Sequence, residues 1–283
     1  MHPRRRVDRG GSVTIRLAYS TLGCPGWTLE HAAEQVRRAG YDGLSLRLLD
    51  SEIVLSSPGR SGIARIRRAM AGFPICSIDT SCSFAHPDAD ARALARAEAV
   101  RYLALAQELE APLIRVFGGR TPEGDPPGAA RERVVESLNL LAPAAERAGV
   151  RIALETHDSL SASRDVAAVL ERVPSPAIGA LWDVHHPIRS GETPAQTYDL
   201  IGSRVIATHI KDARREGDGW KLVLMGQGEL PIEAMIRELV RRAWSGWLAV
   251  EWEKKWHPEI EDPEVAVPWH ATRLHDALRA AGG

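Results

Sequence analysis

The chain has 283 residues, 44% of them hydrophobic and 26% charged, enough to bury the core of one large α/β domain or two small ones. Lys and Arg number 36 against 37 Asp and Glu, a net charge of −1 that excludes a global electrostatic attraction to nucleic acid or to an anionic membrane. No apolar run reaches the roughly 18 residues of a membrane span. The three cysteines, Cys24, Cys76 and Cys82, lack the even count of a disulfide framework and the pair spacing of a zinc site, which points to a reducing cytoplasm.

The segment from Met1 to Ser12 is Arg-rich, but no hydrophobic stretch follows its basic cluster, so it is not a secretory signal. A disordered tail is expected there, ahead of a single domain over residues 13–283. From Ile15 onward, short branched-aliphatic runs alternate with helical patterns. The first run, Ile15 to Tyr19, is followed by a helix over Leu29 to Ala39, with Thr28 as its cap and Gly40 as its stop. Gly43 to Arg47 leads to a helix over Gly62 to Ala71, and Ile75 to Asp79 to one over Asp88 to Leu109. Leu113 to Phe117 comes next. The proline-rich stretch Thr121 to Gly128 reads as the loop after that strand, before a helix over Ala130 to Ala148 closed by Gly149.

The last four strands each end on a metal-ligand type of residue. Val150 to Glu155 precedes a helix over Arg164 to Glu171, for which Ser163 is the expected cap. Ile178 to Asp183 precedes a helix over Pro194 to Ile201, and Val205 to His209 precedes one over Pro231 to Ala243. Trp247 to Glu251 precedes the final helix, Pro263 to Ala280. Eight such units in one chain of this length match an α/β fold of the (β/α)8 TIM-barrel type, and no Gly-x-Gly-x-x-Gly follows the first strand to favour an open doubly wound sheet. In a closed parallel barrel the carboxyl ends of the strands meet on one face, which brings Glu155, Asp183, His209 and Glu251 together. Three carboxylates and one imidazole suit a single hard or borderline divalent cation, Mn²⁺ or Mg²⁺ first, with Co²⁺ or Zn²⁺ as further candidates.

Around these residues, Leu154 to His157, Trp182 to His186, Thr208 to Asp212, the Gly226 to Leu230 loop and Val250-Glu251 resemble the xylose-isomerase-like sugar phosphate isomerase/epimerase superfamily. The resemblance implies that Glu155, Asp183, His209 and Glu251 hold one divalent metal. It also implies that Glu155 and Glu251 exchange protons with a small carbohydrate substrate, and that His186 and Arg215 contact substrate oxygens. Lys211 is a further candidate for positioning substrate. His157 and Asp212 are candidates for orienting the ligands. Many members carry a carboxylate where this chain has Ser45, so Arg47 is a candidate contact for an acidic or highly oxygenated substrate, a salt bridge to Asp50 or Glu52 being the alternative.

His185, one step from His186 on an extended segment, is expected to face away. Gly226 and Gly228 fit a chain reversal better than a phosphate cradle. Trp27, Trp182, Trp252 and Trp256, near strand ends, are candidates for stacking on a sugar or for filling the core.

The chemistry expected is removal of a proton beside a ketone or aldehyde to give a cis-enediolate, with isomerisation or epimerisation set by where the proton returns. A lyase of the same fold, of the inosose or dehydroshikimate dehydratase type, shares that first step. An endonuclease IV-like nuclease needs more histidine ligands and a basic surface, which this chain lacks. A cytoplasmic enzyme is expected, with no nucleic-acid or membrane partner, and with a dimer or tetramer left open.

Overall fold

The computed structural model describes residues 14–282; the expected tail at Met1 to Ser12 lies outside them. Eight parallel strands close into one barrel in chain order, the first pairing with both the second and the eighth. They are Ile15–Ser20, Gly43–Leu46, Ile75–Ser83, Leu113–Phe117, Arg151–Glu155, Ile178–Asp183, Val205–Ile210 and Gly246–Val250. These are the eight strands expected, and Glu251 stands one residue past the last.

Period-two alternation sorts the side chains. Leu154, Ala180, Leu248 and Val250 face outward into the main core against the helices. Ala153, Leu181 and Ala207 join Leu113 inside the barrel, and Ala18, Cys76, Trp247 and Ala249 form a second small interior cluster. Continuing the same alternation one step toward the carboxyl ends carries Arg115, Glu155, Asp183, His209 and Glu251 to the interior above that apolar plug. Alanines and the larger Leu113, Leu181 and Trp247 together fill the barrel below, as the narrow interior of an eight-stranded barrel requires.

Local signals explain most helix ends. Thr28 accepts a hydrogen bond from the His31 amide at 3.2 Å and caps Leu29–Arg38, while Gly149, at φ 64°, closes Ala129–Ala148. Ser163 is not the cap expected. Ala162 holds that position and Ser163 is the first helical residue, because the carboxylate of Glu192 takes the Ser163 amide at 3.1 Å and its hydroxyl as well. A remote acid thus satisfies the helix start in place of the local side chain. The second helix, Gly59–Met70, begins three residues before the expected Gly62. Two hairpins ornament the carboxyl face: Leu48–Leu49 with Glu52–Ile53, and Asp212–Glu216 with Gly219–Val223. No helix among the described residues is long and apolar enough to cross a membrane.

His270, on the final helix Pro263–Ala280, is fully buried, and neither ring nitrogen has a hydrogen-bond partner. Its ring lies 4.9 Å from Trp252 and 6.4 Å from Tyr19, and burial pushes its pKa down to about 3. The unfolded chain takes up this proton near the ordinary histidine pKa of about 6.5, whereas the folded chain does not until about pH 3. Stability from this group is therefore complete above about pH 6.5 and falls by up to about 1.4 kcal/mol per pH unit below it. His270→Phe should flatten that acid limb. Urea unfolding at pH 7.5 and 5.0 checks it: an unchanged wild-type-minus-variant difference between the two would show that His270 is not neutral in the fold.

Candidate metal centre

Glu155, Asp183, His209 and Glu251 come together at the carboxyl mouth, each offering a ligand atom within 4.8 Å of the others. All four are buried, with Glu155 and Asp183 at 0% exposure. The register explains the meeting: Asp183 pairs with His209, and His209 pairs with Ala249, two residues before Glu251. His209 Nδ1 lies 3.0 Å from Glu155 Oε1 and 3.3 Å from Glu251 Oε1. The Asp183 backbone is fixed by Thr156 Oγ1, which accepts its amide at 3.0 Å, and Asp183 Oδ1 accepts the His185 amide at 2.7 Å.

Two buried cations face this cluster. Arg115 places Nε 3.3 Å from Glu155 Oε2 and Nη2 3.9 Å from Glu251 Oε1. Lys211 Nζ reaches Asp183 Oδ2 at 2.9 Å, Glu251 Oε2 at 2.5 Å and Glu253 Oε1 at 2.5 Å. Burial works against the Lys211 charge, but Asp183, Glu251 and Glu253 outweigh it and hold its pKa well above the ordinary value. Burial would likewise raise the Glu251 carboxyl, yet Lys211, His209 and Arg115 keep it well below the usual range.

The donor set fits a divalent cation on three observations. The four ligand atoms converge, and Glu155 Oε2 and Asp183 Oδ2 are buried without a hydrogen-bond donor, the Arg115 contact to the former and the Lys211 contact to the latter being ion pairs only. The formal charge leans the same way: Asp79, Glu155, Asp183 and Glu251 are all buried against Arg47, Arg115 and Lys211, and the one negative charge left over in a dry interior is costly unless a protonated His209 or a bound cation neutralises it.

Beside the cluster, a cavity of about 510 Å³ is lined by His157, His185, His186, Trp220, Glu253 and His257, with Arg120 and Arg189 also on its walls. His186 is therefore placed at the mouth, as expected. His185 is there too, against expectation, because the chain turns into a short helix, His185–Arg189, where neighbouring side chains no longer alternate. Burial pushes both imidazoles down to about 3, so they meet a ligand neutral. The His157 ring lies 4.3 Å from that of His186, tilted by 58°, and its buried Nδ1, 3.3 Å from Asp158, has no hydrogen-bond partner and so is not tied to a candidate ligand.

Three candidates have other contacts. Asp212, one step after Lys211, points out of the barrel and accepts the amides of Ala213, Gly226, Gly228 and Leu230 at 2.8, 2.8, 3.0 and 3.3 Å. It organises the return loop and does not orient a ligand, and the two glycines serve that turn, since a Cβ on Gly228 would collide with the Asp212 carboxylate. Arg215 is exposed on the hairpin, stacked 5.0 Å over Trp220. Arg47 is buried and donates to the Asp79 carbonyl at 3.0 Å, while Asp50, one of the two alternative salt-bridge partners, pairs with Arg65 at 2.9 Å. Trp182 and Trp252 belong to the core, and the indole at the cavity is Trp220.

A family model of the xylose isomerase-like TIM barrel matches residues 33–272, most of the barrel just described. The chain belongs to that family. Within it, a 3-oxo-isoapionate decarboxylase of Pectobacterium atrosepticum is 31% identical over 151 residues, 51% of this chain and 53% of that protein. A fructoselysine 3-epimerase of Escherichia coli is 25% identical over 152 residues, 52% of this chain and 54% of that one. The matched region thus spans about half the length of these curated relatives. Among solved structures, an IolI protein with a bound zinc atom superposes with a TM-score of 0.79 at 16% identity, covering 94% of this chain and 99% of that one, which shows the shared fold.

Asp79, Arg115 and Glu253 were not singled out from the sequence. Two of them carried a signal: Asp79 ends the third run as read from the sequence, as the candidate ligands end theirs, and Arg115 interrupts an otherwise apolar strand. Glu253 carried none, because its place at the cavity depends on how the chain turns after the eighth strand.

Proposed function

We propose that this family member is a divalent-metal-dependent isomerase or epimerase of a small polyhydroxylated ketone or aldehyde, acting through a cis-enediolate. The observation that supports it most is the approach of two carboxylates, Glu155 and Glu251, from strands five and eight to one imidazole nitrogen, at 3.0 and 3.3 Å, beside an open cavity. Glu155, Asp183, His209 and Glu251 would hold the ion. When bound, it supplies a Lewis acid for the substrate's carbonyl oxygen. Glu155 or Glu251 takes the proton from the neighbouring carbon, and the other returns one from its own side. His186, neutral at the cavity wall, offers a hydrogen bond to a substrate hydroxyl.

A lyase is the second reading, favoured by one specific observation. Lys211 presents a buried ammonium against Glu251 and the cavity residue Glu253, a proton source suited to a carbanion left by loss of a neighbouring group. The decarboxylase among the relatives is of that class.

Incubation of metal-loaded protein with candidate ketoses in heavy water tests the two together. The isomerase or epimerase reading expects deuterium at the carbon beside the carbonyl in a product of unchanged composition. A product lacking water or carbon dioxide would replace it with the lyase reading, and a product formed without solvent isotope would remove the proton-transfer step.

A further inference from the structure

The ring of His209 stands between two acidic groups, and only one of them belongs to the metal cluster. Nδ1 faces Glu155 and Glu251, whereas Nε2 lies 3.6 Å from Asp79 Oδ2, an ion-pair contact just beyond hydrogen-bond length. Asp79 lies on the third strand, fully buried, and its carboxylate is held on both oxygens: Ser77 Oγ donates to Oδ1 at 2.8 Å and Ser45 Oγ donates to Oδ2. Its backbone is held as well, by Arg47 Nη1 on the carbonyl oxygen. A buried carboxylate, even one held on both oxygens, is expensive to keep. An apolar residue of that size would fill the interior without desolvating a charge, so the geometry calls for a partner that needs a fixed acceptor.

That partner is the imidazole. We infer that Asp79 is a positioning residue for the metal site: it selects the His209 tautomer that carries its proton on Nε2 and presents the Nδ1 lone pair to the ion. A neutral imidazole has one donor and one acceptor nitrogen, and the hydrogen bond made by one decides which face the other offers. Ser45 and Ser77 have a part in this, because their donated hydrogens fix the direction of the carboxylate. Ser45 occupies a second-strand position where an acid would point into the same layer, so the chain supplies from strand three, by way of a serine, a charge that strand two does not carry.

The inference rests on the four-ligand reading above, and the test separates the two. In zinc-loaded protein labelled with ¹⁵N-histidine, long-range ¹H–¹⁵N spectra should show one His209 ring with a protonated Nε2 and a metal-shifted Nδ1. A protonated Nδ1 with Nε2 shifted by the metal would overturn the inference without touching the site assignment. In titration calorimetry with Mn²⁺, Asp79→Asn should bind roughly 10- to 100-fold more weakly than wild type, the usual cost of losing a group that orients a metal-bound histidine. Moving the acid back to strand two in the double variant Ser45→Asp/Asp79→Ser should recover most of that loss, which a merely structural role for Asp79 would not do. Wild-type affinity in Asp79→Asn, or no recovery in the double variant, counts against the inference. If wild-type protein takes up no metal at all, the four-ligand reading fails first and the inference fails with it. The spectrum of the wild-type protein needs no variant to fold.

Discussion

Alanine at His209 is expected to cost the protein its metal. Wild-type protein prepared without chelator and reconstituted with Mn²⁺ should hold about one equivalent, whereas His209→Ala and Asp183→Ala should bind at least about 10²-fold more weakly, beyond the loss seen when only an orienting group is removed. The physical reason differs between the two. His209 is the sole nitrogen donor of the set and also the group that separates Glu155 from Glu251, so its removal leaves two buried carboxylates facing one another. Asp183 contributes a charge that Lys211 already contacts at 2.9 Å, and its loss leaves the ammonium closer to balance with Glu251 and Glu253, which weakens the pull on a divalent ion. Elemental analysis after exhaustive dialysis reads the outcome, with thermal melts of the metal-free proteins to confirm folding. Full occupancy in both variants would disprove the site.

Glutamine at Glu155 or Glu251 should lower turnover by roughly 10² or more, the usual contribution of a positioned general acid or base. The substitution keeps the length and one acceptor oxygen but removes the base. Because each residue is also placed to hold the ion, turnover must be expressed per equivalent of metal bound, at metal concentrations that saturate the variant. The two variants should differ in a diagnostic way. If one carboxylate removes the proton and the other returns it, a Gln variant should still exchange deuterium from solvent at the carbon that its remaining carboxylate faces, while net conversion stays slow. Equal loss of exchange and of conversion in both variants would point to a single base, and no loss in either would remove both from the chemistry.

The barrel was legible because its signals are local and repeated. Branched aliphatic runs of strand length, separated by capped helical patterns, occur eight times, and a closed parallel sheet is the simple way to bury all of them. The clustering of the candidate ligands was legible for the same reason: Glu155, Asp183, His209 and Glu251 hold equivalent places on successive strands, and equivalence along the chain becomes proximity once the strands close. The cap of the fifth helix was not, since the acid that satisfies Ser163 comes from Glu192, 29 residues away. His185 was misplaced because a run that continues as a helix cannot be told from an extended one when only five residues are involved.

Residue types at strand ends thus follow from sequence alone, and with them the family, the fold and the four ligand candidates. Which charged side chains surround those ligands was decided only in three dimensions. Asp79 and Arg115 lie on strands three and four, distant in sequence from every candidate ligand, and Lys211 differs from Asp212 by one position yet points the opposite way. Electrostatic partners are chosen by the inward or outward direction of a side chain and by the register between strands, and both are properties of the closed sheet. A single step of alternation therefore puts Lys211 against the buried carboxylates of Asp183 and Glu251 and leaves Asp212 holding a loop.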